Sequence, residues 1–166
     1  MKRKMYFFFG SGHPLSNWYM RDFVVKGIKF CCNEQFMMYC KAMLFKDYEI
    51  AAKIMATMSP WNHKSLGRQV KGFNGAIWEQ KREHYVFVGA LAKFDQNPDI
   101  GDVLLATDDM ELVEAAPNDP IWGVGLDEHS PAIHHKKLWR GLNLLGLVLE
   151  DVREALRELR RSRATI

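Results

Sequence analysis

Residues 75–96 constrain this chain most. Ile77, Trp78, Tyr85, Val88, Leu91, Ala92 and Phe94 recur there at three- and four-residue intervals, and Asn74 stands just before them as a helix cap. The spacing predicts one long helix from Gly75 to about Gln96, and the rest of the fold must pack around it. Other start signals follow the same grammar. Asn33 reads as the cap of a helix from Glu34 to about Phe45, and Asp47 as the cap of one running to about Met58. Ser59-Pro60 starts a further helix, Asn97-Pro98 a short one through Leu105, and residues 142 to about 161 form the last. Its Leu145, Val148, Leu149, Val152 and Leu156 lie on one side.

Strands are few and short. One is read at the start of the chain, two flank Lys26-Gly27 as a hairpin, and one covers Leu112 to Ala115. The expected class is mainly α (α+β), a multi-helical single domain over 1–166 with a core of about 6–157 and a basic tail, 158–166. Strands and helices do not alternate and no glycine fingerprint occurs, which excludes a Rossmann unit.

At 48% hydrophobic and 26% charged, 166 residues suffice for one buried core. No apolar run approaches the roughly 18 residues of a membrane span. The head Lys2-Arg3-Lys4 precedes an apolar stretch shorter than the roughly 7–15 residues of a signal core, so a cytoplasmic protein is expected. Cys31, Cys32 and Cys40 lack the C-x-x-C spacing of a zinc site, and adjacent Cys31 and Cys32 are poor disulfide partners. Reduced thiols are expected. The net charge of +3 gathers at the two ends, in Lys2-Arg3-Lys4 and in Arg157, Arg160, Arg161 and Arg163.

The segment Asn118-Asp119-Pro120-Ile121-Trp122-Gly123-Val124-Gly125 cannot be regular structure. It is either a loop presenting Asp119 and Trp122 to a ligand or a tight turn anchored by Trp122. Glu34 and Lys41, seven residues apart, share a helix face about 10 Å apart along the axis, beyond ion-pair spacing. Met38 and Phe45 fall on that same face, as in a cleft wall; Phe36, Cys40 and Met43 are read as the core stripe opposite. The alternative is a solvated face in which the two charges suit the helix dipole. Arg68 and Lys93 are each either a phosphate ligand or a surface charge with a packed stem. Trp78 is either core or a stacking platform. His129, His134 and His135 lack a carboxylate at ligand spacing, so no metal site is expected. Neither G-x-S-x-G nor a P-loop occurs.

Several motifs run in order: Phe9-x-Ser11 with Leu15-Ser16-Asn17-Trp18; Asn33-Glu34-Gln35-Phe36 leading to Lys41; Gly67-Arg68; Trp78; and Lys93-Phe94-Asp95-Gln96-Asn97. Leu104-Leu105-Ala106-Thr107, Leu112-Val113-Glu114, Asn118-Asp119 with Trp122-Gly123-x-Gly125, and Gly141-x-Asn143-x-Leu145-Gly146 follow. Together they resemble the NADAR family, the YbiA-like N-glycosidases, from about Phe7 to Leu156. Two departures stand out. Cys31-Cys32-Asn33 precedes Glu34 where relatives often carry an aromatic, a proline and a small residue, and a histidine-containing loop, 127–137, replaces a shorter glycine-rich connection.

The resemblance implies hydrolysis of a ribose–base N-glycosidic bond without a cofactor. The implied substrate is a small phosphoribosylated base of the riboflavin-intermediate type, or ADP-ribosylated guanine, free or in nucleic acid. It implies a compact, mainly helical YbiA-like fold and no membrane partner. On that basis Glu34 and Asp119 are the expected carboxylates, Trp122 or Trp78 stacks on the base, and Arg68 meets the phosphate. Lys41 is an expected amine nucleophile at C1′. Ser11, Asn17, Trp18, Gly123 and Asn143 join the expected substrate-binding set. Two non-enzymatic readings stand beside this: a reader of ADP-ribose or nucleotides using the same cleft, and a nucleic-acid module using the basic C-terminal helix.

Overall fold

The structure, a computed structural model, describes residues 1–166. Its frame is the expected helix α4, Gly75–Gln96, capped by the Asn74 side chain accepting from the Ile77 N–H. The helix packs against α1 (Asn33–Leu44) and α6 (Leu144–Ala164). Gly89 permits the close approach to α1. A Cβ there would lie 1.9 Å from Asn33 Oδ1 and 2.5 Å from Phe36 Cδ1.

Strand β1 (Met5–Phe8) pairs with β4 (Glu111–Glu114) in parallel, in the register Met5↔Glu111 to Phe8↔Glu114. Parallel pairing demands a crossover, and here it comprises everything between the two strands. That crossover includes β2 (Phe23–Val25), β3 (Ile28–Phe30), α1, α2 (Tyr48–Met55), α3 (Pro60–Gly67), α4 and α5 (Pro98–Leu105). All of β4 is buried, with α6 packed against it. The hairpin β2–β3 turns through Lys26 and Gly27, both at positive φ (50° and 80°), as a tight two-residue connection requires. Phe23, Phe30 and Phe36 fill the space beneath it.

Several details depart from the sequence reading. The cap of α1 is Cys32, whose Sγ accepts from the Gln35 N–H; Asn33 lies inside the helix, its Nδ2 donating to Asn17 Oδ1 and Val86 O. Helix α2 ends at Met55, short of Met58, because Gln35 Nε2 takes the carbonyls of Ile54 and Thr57. Met43, expected in the core stripe, is 40% exposed, whereas Phe36 is buried. The basic residues of the last helix are engaged: Arg157 with Asp109, Arg160 with Asp102, Arg163 with Asp95. The segment 158–166 therefore continues α6 as far as Ala164, and its charges are largely matched. No helix is long and apolar enough to cross a membrane.

Candidate active site

Helices α1 and α3 and the segment 118–122 enclose a cavity of about 290 Å³. Glu34, Met37, Met38 and Lys41 come from α1, and Lys64, Gly67 and Arg68 from α3 and its end. Trp18 and residues 118–122, with Asp119 and Trp122, complete the wall. A second cavity of about 420 Å³ adjoins it, lined among others by Ser11, Trp61 and Glu114. Trp18, Lys64, Asn118 and Asp119 line both, so the two form one cleft with two lobes. The seven-residue spacing does what the mixed face requires: Glu34 and Lys41 both face the cavity, with Met38 between them.

Each of these side chains is held by local chemistry. The Glu34 N–H donates to Asn17 O (3.0 Å), and Asn17 Oδ1 accepts from Asn33. Asn17 thus positions the start of α1 while remaining buried itself. Lys93, read from sequence as a phosphate ligand or a surface charge, is neither. It is buried, and its Nζ donates to Pro14 O (2.6 Å) and Ser16 O (3.0 Å), tying down the loop that presents Trp18.

The 118–125 segment is equally constrained. Asp119 Oδ1 accepts from the N–H groups of Ile121 (3.0 Å) and Trp122 (2.9 Å), leaving Oδ2 for the cleft. The carbonyls of Pro120, Ile121, Trp122 and Gly123 accept from the N–H groups of Leu142, Leu144, Leu145 and Asn143. They satisfy donors that a helix start leaves over. Gly123 admits no side chain, since a Cβ would lie 2.7 Å from Ala116 Cβ. Asn143, at φ 53°, donates to Leu112 O and accepts from the Glu114 N–H, clamping the segment to β4. Gly123 and Asn143 therefore shape the site from behind and do not line it.

Trp78 is also behind the wall. It is buried, stacked on Tyr85 at 6.0 Å, and absent from the lining of either lobe. Its ring lies 5.6 Å from Lys41 Nζ, and that of Phe73 lies 4.6 Å away, so aromatic faces hold the amine.

Burial dominates the electrostatics. It pushes the Glu34 carboxyl up to about 7; Asp119 adds to the rise, while Lys64, the Trp18 hydrogen bond and Lys41 oppose it. Glu114, buried in the wall of the second lobe, is pushed to about 8 by burial, then by Asp119 and Glu34, against Lys64. Lys41 is lowered by burial and by the Arg68 cation, with Glu34 opposing. Acids able to hold a proton near neutrality thus share a cleft with an amine whose pKa burial lowers.

Sequence reasoning missed Glu114, Lys64 and Trp61. Lys64 stands four residues before Arg68, on the same side of α3, and that spacing is the signal that could have found it. Trp61, 70% exposed, meets Trp18 edge-on at 6.4 Å. The histidines of 127–137 gather on no common point; Phe7 packs edge-on to the His134 ring.

The model of the NADAR domain matches residues 6–157. The chain is 42% identical over 133 residues to Protein irg-1 of Caenorhabditis elegans, covering 79% of this chain and 63% of that protein. It is thus aligned with just under two thirds of that relative's length. It is 40% identical over 147 residues to N-glycosidase R617 of Acanthamoeba polyphaga mimivirus, covering 86% of each. The solution structure of the Escherichia coli protein YbiA superposes with a TM-score of 0.78 at 26% identity, over 96% of this chain and 89% of that one.

Proposed function

The chain belongs to the NADAR domain family, and from that premise we propose that its cleft is the active site of an N-glycosidase that hydrolyses the bond between ribose and a base. The observation carrying this reading is the convergence of Glu34, Lys41 and Asp119 on one cavity that also holds two tryptophans and the cations Lys64 and Arg68. Relatives named N-glycosidase, R617 among them, support it.

Cleaving C1′–N places positive charge on the sugar and negative charge on the departing base. Glu34, buried and protonated near neutrality, donates its proton to the leaving nitrogen as the bond breaks. Lys41, as the neutral amine, attacks C1′. The new C1′–Nζ bond replaces the C1′–N bond, whose electron pair leaves with the base. The amine then gives up a proton as the C1′–O4′ bond opens, O4′ is protonated, and an imine is left. Water adds to C1′, the C1′–Nζ bond breaks and the sugar aldehyde departs; the two protons of that water return to Lys41 and to Glu34. Asp119 Oδ2 faces the positive charge at the anomeric carbon. Trp122, which lines the cavity where Trp78 does not, stacks on the base. Arg68 and Lys64 meet a phosphate.

The substrate class that fits these groups is a phosphoribosylated or ADP-ribosylated base. Incubating the protein and Glu34→Gln with a phosphoribosyl-aminopyrimidine and with ADP-ribosylated guanosine, and reading released base by mass spectrometry, tests it. Release from one of them, lost in the variant, is expected and identifies the branch. No release from either by folded protein overturns the proposal.

A further inference from the structure

Behind the cleft, three soft or borderline ligand atoms converge in the protein interior. Cys31, Cys32 and His63 are 3%, 0% and 0% exposed, and their ligand atoms all lie within 4.8 Å of one another. Cys31 Sγ is 4.0 Å from Cys32 Sγ, and Cys32 Sγ is 3.6 Å from His63 Nδ1. We propose that this cluster is a metal site that binds a thiophilic divalent cation of the Zn²⁺ type through Cys31 Sγ, Cys32 Sγ and His63 Nδ1.

The distances fit. With a metal–sulfur bond of about 2.3 Å and a metal–nitrogen bond of about 2.0–2.1 Å, the two gaps correspond to angles of about 120° and 110° at the metal. Both suit a site between trigonal and tetrahedral. The histidine is already oriented as a ligand: its Nε2 lies 2.6 Å from Thr57 O, which fixes Nε2 as the N–H donor and leaves the Nδ1 lone pair facing the sulfurs. Cys32 is the N-cap of α1 and accepts from the Gln35 N–H, which fixes its Sγ beside Cys31 and His63. Two thiolates and a divalent cation sum to zero charge, so the filled site is compatible with burial. Binding transfers one proton from each thiol to solvent and keeps the Nε2–H of His63 in place.

Cys31 brings the cluster near the surface. Cys31 lines a surface depression of about 330 Å³ with Met20, Arg21, Asp22 and Asn97, and a water arriving by it completes the coordination. The site would staple the start of α1 to α3, the two helices that supply Glu34, Lys41, Lys64 and Arg68 to the cleft. The three ligands are 32 residues apart at their widest and belong to no C-x-x-C pattern, so ligand spacing does not reveal them.

The test uses the full chain, stripped with chelator and kept reduced, then titrated with Zn²⁺ alone against a chromophoric chelator. One Zn²⁺ per chain and a higher Tm are expected. Loading with Co²⁺ instead is expected to give the intense near-ultraviolet band of thiolate-to-cobalt charge transfer. Cys31→Ser is expected to weaken Zn²⁺ binding by roughly tenfold or more and to lose the band, while Cys40→Ser keeps both. A parent protein without the band, or a band and stoichiometry unchanged in folded Cys31→Ser, overturns the proposal. Should Cys31→Ser not fold, the parent and Cys40→Ser spectra decide. The readout is metal binding, so it stands or falls apart from the glycosidase reading.

Discussion

Glu114→Gln probes whether the cleft holds a carboxyl group as dry as the fold makes it. Glu114 ends β4, is 8% exposed, and its Oε2 has no hydrogen-bond partner. The groups that act on it are Asp119 and Glu34, which raise its pKa together with burial, and Lys64, which lowers it; the result is about 8 against an ordinary 4.5. Between about 4.5 and 8 the folded state keeps the proton and the unfolded chain has lost it, so stability falls as pH rises through that window and levels off above it. Each pH unit inside the window is worth about 1.4 kcal/mol. From pH 6 to pH 8 the parent should lose about 2 kcal/mol through this one group, or about 4–8 °C in Tm for a domain of this size. Glutamine preserves the shape and cannot ionise. Glu34 titrates with the same sign in both proteins, so the difference between them reads position 114 together with its coupling to Glu34. Thermal unfolding of both across pH 5.5–9 is the assay. The Tm of the variant should rise relative to the parent as pH increases. Parallel curves would mean that Glu114 is ionised throughout and the lobe is wet, refuting the argument.

Other perturbations separate the site from its support. Gly89→Ala forces a methyl group against Asn33 Oδ1 and Phe36, so urea unfolding should show a loss of about 1–3 kcal/mol despite alanine's better helix propensity; an unchanged midpoint contradicts the packing of α4 on α1. Lys41→Arg retains the cation but not a neutral amine. It should lower the rate of base release by about 100-fold or more, and borohydride added with substrate should tag the parent at Lys41 but not the variant. An active parent that yields no adduct would leave Lys41 a purely electrostatic role. Trp122→Ala should lower kcat/KM by roughly 5- to 150-fold, the loss of one stacked base, whereas an unaffected value would move the base to Trp18.

What could be read from the chain follows the range of the forces involved. Asp47, Ser59 and Asn74 cap their helices as expected because a cap is a contact between residues three apart. Cys32 displaced Asn33 as the cap of α1 because Asn17, distant in sequence, claims the Asn33 side chain. The shared face of Glu34 and Lys41 was legible from periodicity alone. Lys93 was not. Its burial depends on carbonyls 77 and 79 residues away, and nothing beside it announces them. Glu114 was visible only within a short strand and the Leu112-Val113-Glu114 motif, since the charges that act on it arrive from α1, α3 and the 118–122 segment. The Trp78 ring, at helical spacing, took the core position that spacing favours and backs Lys41 from behind.

The central claim is that this cleft breaks a glycosidic bond, with Glu34 supplying the proton. It is tested most directly by measuring binding and base release together, in the parent and in Glu34→Gln, on whichever ribosylated base binds. The variant should keep its affinity while release falls by about 10²–10⁴-fold, the usual contribution of a positioned acid. Tight binding by both proteins with no base released by either would make the cleft a reader of ribosylated ligands and contradict the account.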